Sequence, residues 1–306
     1  MAGLVPAIHV LEADQKTWMP ATGAGMTIFE CRCPPQMSPA DYFWLSLLLK
    51  AALTATIIVS ASLIVERGGP FLGAMIASLP TSVGSAYIVM AFEHTPQFIS
   101  NSALGSLAAN PAGITFAATY ALLARRHSLL ASLGGALLVW FAFAGVLQFF
   151  KFDLWSALAL NLVVTAIAIP LTGAARRASF KKAEAAPRAN DIPLRAAAVA
   201  AFVVIVTTAS HSIGAFASGI FAVFPMAMSS FILILHPRIG GPATSNVVAH
   251  VQVPMIGLIS TFAAVHLLAT VTGVWWSLLI ALLASLSWNA LLWLWRTQLS
   301  ARLPLE

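Results

Sequence analysis

The stretch SLLASLGGALLVWFAFAGVLQF, residues 128–149, runs for 22 positions without a charged side chain. As a helix, at 1.5 Å per residue, it reaches about 33 Å, close to the thickness of a bilayer's hydrocarbon core. Its apolar residues are continuous and do not alternate with polar ones, which argues against a strand of a membrane barrel. Arg125-Arg126-His127 stands before it and Lys151-Phe152-Asp153 after it, the polar punctuation expected where a span leaves the membrane.

The same reading, carried outward in both directions, predicts nine spans near 43–65, 70–92, 98–124, 128–149, 154–172, 193–210, 215–236, 243–269 and 272–295. The composition agrees. Of 306 residues, 59% are apolar and 8% charged, and the mean hydropathy is +0.89. A water-soluble domain of this size has nowhere to hide so much apolar surface, and disordered or disulfide-stapled chains have other compositions. The expected fold class is therefore an all-α integral membrane protein of about nine transmembrane helices.

The charges then give an orientation. When the nine spans alternate across the membrane, 12 of the 16 Lys and Arg fall on one side, Arg125, Arg126, Arg176, Arg177, Lys181, Lys182 and Arg238 among them. Basic residues concentrate on the cytoplasmic side, so the expected topology has the N-terminus outside and the C-terminus inside a bacterial inner membrane. The net charge of +6 is explained by this loop bias and calls for no nucleic-acid partner. The lipid bilayer is the expected partner, with a small-molecule solute as the second.

An internal duplication follows from a shift of 145 positions. Gly69, Phe71, Ala77, Pro80 and Ser85 then match Gly214, Phe216, Ala222, Pro225 and Ser230, and Ser100-Asn101 matches Ser245-Asn246. Downstream, Trp155-Ser156 matches Trp276-Ser277 at an offset of 121, and the lost 24 residues are one span long. The stretch 128–149 is that extra span. The predicted domains are accordingly a first membrane repeat of five spans (37–172), a basic cytoplasmic linker (173–192) and a second repeat of four spans (193–306). Five spans before the second copy make the two copies enter the membrane from opposite faces, an inverted-topology repeat of 5 + 4. Such repeats are common in transporters, whose solute sites lie near the midplane between the copies.

Prolines fall inside four spans: Pro80, Pro111, Pro225 and Pro254. Each removes a helix hydrogen bond and frees a carbonyl at membrane depth. Beside them lie Ser82 and Ser85, Asn110, Ser230, and His250 with Gln252. The functional reading is a solute-binding site formed by Pro80, Ser82, Ser85, Asn110, Pro225, Ser230, His250 and Gln252. The structural reading is that Ser and Thr satisfy kink carbonyls, whereas Asn110, His250 and Gln252 are costlier to bury in lipid. Asn101 and Asn246 are expected as paired gate positions, with helix capping as the rival. Small residues at every fourth place (Gly69, Gly73, Ala77, Thr81 and Ser85; Gly214, Ser218 and Ala222) predict close packing of the second and seventh spans, against each other at the pseudo-symmetry axis. Lys50 is expected to snorkel to the outer interface, and Glu93 and His94 to sit at a helix end.

The stretch from Lys50-Ala51-Ala52 through Gly73 to Leu79-Pro80, followed by Ser85-Ala86-Tyr87-Ile88-Val89, resembles the small GlpM-type inner-membrane proteins. The second copy carries the Phe224-Pro225 form. The resemblance covers about the first three spans of each half and implies an inner-membrane location, this chain being a duplicated and fused version with an extra span. Residues 1–36, with Pro6-Ala7-Ile8-His9-Val10 and Lys16-Thr17-Trp18-Met19-Pro20, resemble a translated bacterial genomic repeat. Met37 is then the expected start, and a flexible extramembrane tail is the alternative.

No acid falls in the middle of a span, which disfavours carboxylate-driven coupling and leaves His250 as the proton-carrying group. Cys31-x-Cys33 has no second half, so no metal or cofactor is expected. No nucleotide loop, nucleophile elbow or zinc-protease motif occurs, and the chain is not expected to be an enzyme. The expected function is a transporter or permease for a small solute. A membrane scaffold or assembly factor is the second reading, and an intramembrane enzyme, with Ser85 or Ser230 beside a histidine, the third.

Overall fold

The computed structural model describes residues 81–178 and 191–302, together with Leu45 and helical residues 48–52 and 54–56 of the first predicted span. Every element among them is helical: α1 (Thr81–Glu93), α2 (Pro96–Leu123), α3 (Leu129–Leu147), α4 (Leu154–Leu171), α5 (Gly173–Arg177), α6 (Asp191–Ile213), α7 (Ala215–Ala222), α8 (Met226–Ile239), α9 (Gly241–Met255), α10 (Gly257–Leu268) and α11 (Val274–Arg302). Pro80, residues 1–36, the linker from 179 to 190 and most of the first span lie outside the described residues.

Six segments are long and apolar enough to cross a membrane: α3, α4, the body of α6, α7 with α8, α9 with α10, and α11 up to Trp295. The chain is thus a multi-pass membrane protein. Their outward faces carry Leu130, Leu138, Phe141, Trp155 and Leu162, all exposed as lipid contacts require. Trp276 and Trp295 on α11 are both exposed and 19 residues apart, about 29 Å along a helix, which sets one aromatic side chain at each edge of a hydrocarbon layer.

α2 is built differently. It has 28 residues, long enough to span, but Ser100, Ser102, Ser106, Asn110 and several glycines make it less apolar than the six. Of its residues 19 are buried, and α3, α4, α7, α9 and α10 all pack against it. A helix wrapped by other helices meets no lipid, so it can carry polar side chains as long as each finds a partner. Thr95 starts it by accepting from the Phe98 amide at 3.3 Å, with Pro96 at the first helical position.

Small residues let α7 lie directly on α2. A Cβ at Gly219 would overlap the Ser102 carbonyl, and one at Gly105 the Phe216 carbonyl. Ser102 Oγ donates to Ala215 O at 2.9 Å and Ser106 Oγ to Gly219 O at 2.7 Å across the same seam. The second span's small residues Gly69, Gly73 and Ala77 lie outside the described residues, and with them the expected packing of the second and seventh spans against each other. The seventh span's small face meets the third span, and α1 makes only minor contact with α7.

The seventh predicted span is broken, and the eighth is interrupted at one residue, Ile256, whose backbone stays helical (φ −60°, ψ −36°). α7 stops at Ala222, and Pro225, with φ −76° and ψ 47°, stands before α8. α9 gives way to α10 at Ile256, two residues after Pro254, through a tightened turn in which Ile256 N donates to Val253 O at 3.2 Å. Gly214 (φ 81°) and Gly240 (φ 84°) are single-residue corners between α6 and α7 and between α8 and α9. These left-handed backbone positions suit glycine.

Candidate functional site

The buried polar side chains of α2, α4 and α9 converge where α2 crosses the α9–α10 junction. Pro111 has no amide to offer the Leu107 carbonyl one turn back, and Asn161 of α4 takes its place, donating from Nδ2 to Leu107 O at 2.7 Å and to Ala157 O at 2.8 Å. Asn161 Oδ1 accepts from Asn110 Nδ2 at 2.9 Å, and Asn110 Nδ2 also reaches Met255 O at 3.4 Å, at the end of α9. Asn110 and Asn161 are 1% and 0% exposed. Asn110 Oδ1 is buried and has no hydrogen-bond partner among the described residues.

About one turn along α9, Gln252 continues the network. Its Nε2 donates to Ile114 O at 3.4 Å, and its Oε1 accepts from Thr172 Oγ1 at 2.6 Å and from Arg176 Nη1 at 3.2 Å. Arg176 is half-buried and also donates to the Ile169 carbonyl. Burial, with Arg177 alongside, holds its guanidinium below the usual arginine value. The polar path therefore runs from Asn110 in α2 to Arg176 in α5, just past the end of α4.

A second pattern surrounds the same crossing. Ser100 Oγ donates to His266 O at 2.7 Å, and Ser245 Oγ donates to Ala121 O. The two donors are 145 residues apart, and so are the two acceptors. α2 and α9–α10 therefore run antiparallel, with reciprocal contacts at their opposite ends. Midway between these contacts lie Asn110-Pro111 on one helix and Met255-Ile256 on the other, and Asn110 bonds Met255, its own partner at that spacing.

Of the predicted site residues, the structure brings Asn110 and Gln252 into one network. Pro225 stands at the α7–α8 break. Ser82, Ser85 and Ser230 stay within their helices: Ser85 Oγ donates to Ser82 O at 3.0 Å and Ser230 Oγ to Ala227 O at 2.8 Å, as kink-side hydroxyls do. The His250 ring bonds back to Asn246 O at 2.8 Å. Asn246 Nδ2 caps the carbonyls of Ala175, Arg176 and Ala178 at 2.8 to 3.1 Å, whereas Asn101 is exposed. Asn161, Thr172 and Arg176 were not foreseen. Asn161 was visible as the one amide inside the apolar run 154–172, by the same burial cost that marks Asn110.

Another polar group gathers at the α1–α2 corner. Lys50 Nζ pairs with Glu93 Oε1 at 2.8 Å, their side chains 11% and 20% exposed. This corrects the expectation that Lys50 only snorkels: its ammonium is held by a carboxylate. His211 Nε2 stands 3.6 Å from Glu93 Oε2. The His94 ring stacks on Phe98 (3.7 Å between centroids) and lies 4.6 Å from the His211 ring. Burial first, and then the His211 charge, pushes the His94 imidazole below its ordinary value. Elsewhere an open cleft between α3 and α4, lined by Phe143, Leu147, Phe150 and Leu160, is apolar and faces lipid. Comparison with protein-family models, curated proteins and solved structures finds no match for this chain.

Proposed function

We propose that this chain is a bacterial inner-membrane transporter or permease for a small solute, built from two inverted copies of five and four spans. The copies cross at Asn110 and Met255, and the solute passes along the polar path beside that crossing. The observation that carries this reading is Asn110. Its Oδ1 is buried without a partner among the described residues, where unbroken α2 crosses the α9–α10 junction, at the midpoint of the reciprocal Ser100 and Ser245 bonds. An unmet acceptor at membrane depth is costly to maintain. A solute donor hydrogen-bonding there would offset that cost, and interrupted helices are where transporters expose such groups. The path holds no carboxylate, so the solute moves uncoupled or with a proton carried by His250, which lies one turn before Pro254 on the same helix.

The test is uptake by cells or proteoliposomes of Asn110→Ala and Gln252→Ala chains. Transport predicts that flux is lost while the amount of protein in the membrane stays near normal. A scaffold or assembly factor predicts that only abundance falls. A panel of small solutes scored by thermal shift identifies the substrate, whose stabilisation should vanish in Asn110→Ala.

A further inference from the structure

We infer that Glu93, His94 and His211 form a binding site for a transition-metal dication of the zinc class, separate from the solute path. One donor atom from each of the three residues lies within 4.8 Å of the other two. Two imidazoles and a carboxylate are a donor set that zinc uses when it keeps a fourth position open for water or another ligand. The spacing admits an ion between the donors. His211 Nε2 and Glu93 Oε2 stand 3.6 Å apart, too far for a hydrogen bond. Zinc bonds of about 2.0–2.1 Å at tetrahedral angles separate neighbouring donors by about 3.3 Å, so a small inward shift brings both atoms onto one ion.

The surrounding groups suit the same use. Lys50 occupies Glu93 Oε1 and leaves Oε2, which is buried and has no hydrogen-bond partner among the described residues. Ser210 anchors the His94 ring through one nitrogen. Ser210 Oγ gives its hydrogen to Thr207 O at 2.6 Å, so at 2.7 Å from His94 Nε2 it accepts that nitrogen's proton and leaves Nδ1 with a free lone pair. A ring anchored through one nitrogen while the other binds metal is the usual second-shell arrangement. His211, with its side chain 54% exposed, opens the site to solvent. The donors come from the end of α1 and the end of α6, so a bound ion would pin those two helix ends together. The sequence alone did not reveal the site because His211 is far from Glu93-His94 along the chain.

The experiment uses the full-length protein in detergent, stripped with a chelator and carrying Cys31→Ser and Cys33→Ser to remove the leader's thiols. Zinc is titrated against a competing chromophoric chelator, and bound metal is counted by elemental analysis. One zinc per chain is expected. His211→Ala, at a solvent-exposed position, and His94→Ala should each weaken binding at least tenfold, with the metal-free melting temperature of His211→Ala unchanged. A chain that binds no stoichiometric zinc overturns the proposal, as does wild-type affinity in both histidine variants. Neither result bears on solute flux through Asn110.

Discussion

α2 and α9–α10 each carry a proline near mid-length, and only one of them is interrupted. α2 runs unbroken through Pro111, where the carbonyl that the proline frees is taken by Asn161 at 2.7 Å and the turn is buried. Two residues after Pro254 the other helix's regular bonding is interrupted at Ile256 while its backbone stays helical, and side chains take the carbonyls there: Asn110 donates to Met255 O and Trp288 Nε1 to Val253 O at 3.4 Å. A proline thus sets up a choice that side chains on neighbouring helices decide. A donor aimed at the freed carbonyl goes with a continuous helix, and donors aimed past it go with an interruption.

Asn161→Leu attacks this difference most strongly. It removes the donor to Leu107 O and Ala157 O and the acceptor for Asn110, leaving buried groups unmet. The cost should be about 2–4 kcal/mol, read from unfolding in mixed micelles, with α2 bending at Pro111. Pro254→Ala works on the other helix. By restoring an amide it should join α9 to α10, with a stability change under about 1 kcal/mol; if the break serves transport, solute flux falls while abundance holds. Ser100→Ala and Ser245→Ala probe the reciprocal contacts. Ser245→Ala removes one buried hydrogen bond worth about 0.6 kcal/mol in a membrane, and Ser100→Ala, whose Oγ meets both His266 O and His266 Nδ1, should cost somewhat more.

The smallest effect concerns the start of α4, the helix that supplies Asn161. Asp153 caps it, accepting from the Ser156 amide at 2.9 Å, and these bonds from Ser156 lower its carboxyl below the ordinary 3.8. A carboxyl lowered by folding stabilises the native state above its unfolded value and loses that contribution as pH falls through the folded one. Melting temperature should therefore drop slightly below about pH 4 in the wild-type chain. Asp153→Asn, which still caps but does not titrate, should abolish that part of the drop.

Much of the architecture was readable because long apolar runs have one fate. The stretch 128–149 became Leu129–Leu147, and 154–172 became Leu154–Leu171. The breaks were not readable. Hydropathy is unchanged across Pro225 and Pro254, and Pro111 proves that a proline alone predicts nothing certain. The site was legible in part, for the burial cost of an amide marks Asn110 and Gln252 and could have marked Asn161. Whether Asn101 and Asn246 turn toward neighbouring helices or outward, or Lys50 finds Glu93, depends on how each helix is rotated about its axis. Composition does not encode that rotation.

Central to the proposed function is an opposite insertion of two copies, which equivalent positions test directly. Gln97 and Pro242 are both exposed at helix starts, 145 residues apart. In a chain with Cys31→Ser and Cys33→Ser, single cysteines at these positions can be labelled with a membrane-impermeant maleimide on intact cells. The inverted arrangement predicts that Gln97→Cys is labelled from outside and Pro242→Cys only after the membrane is opened. Labelling of both from the same side would contradict it.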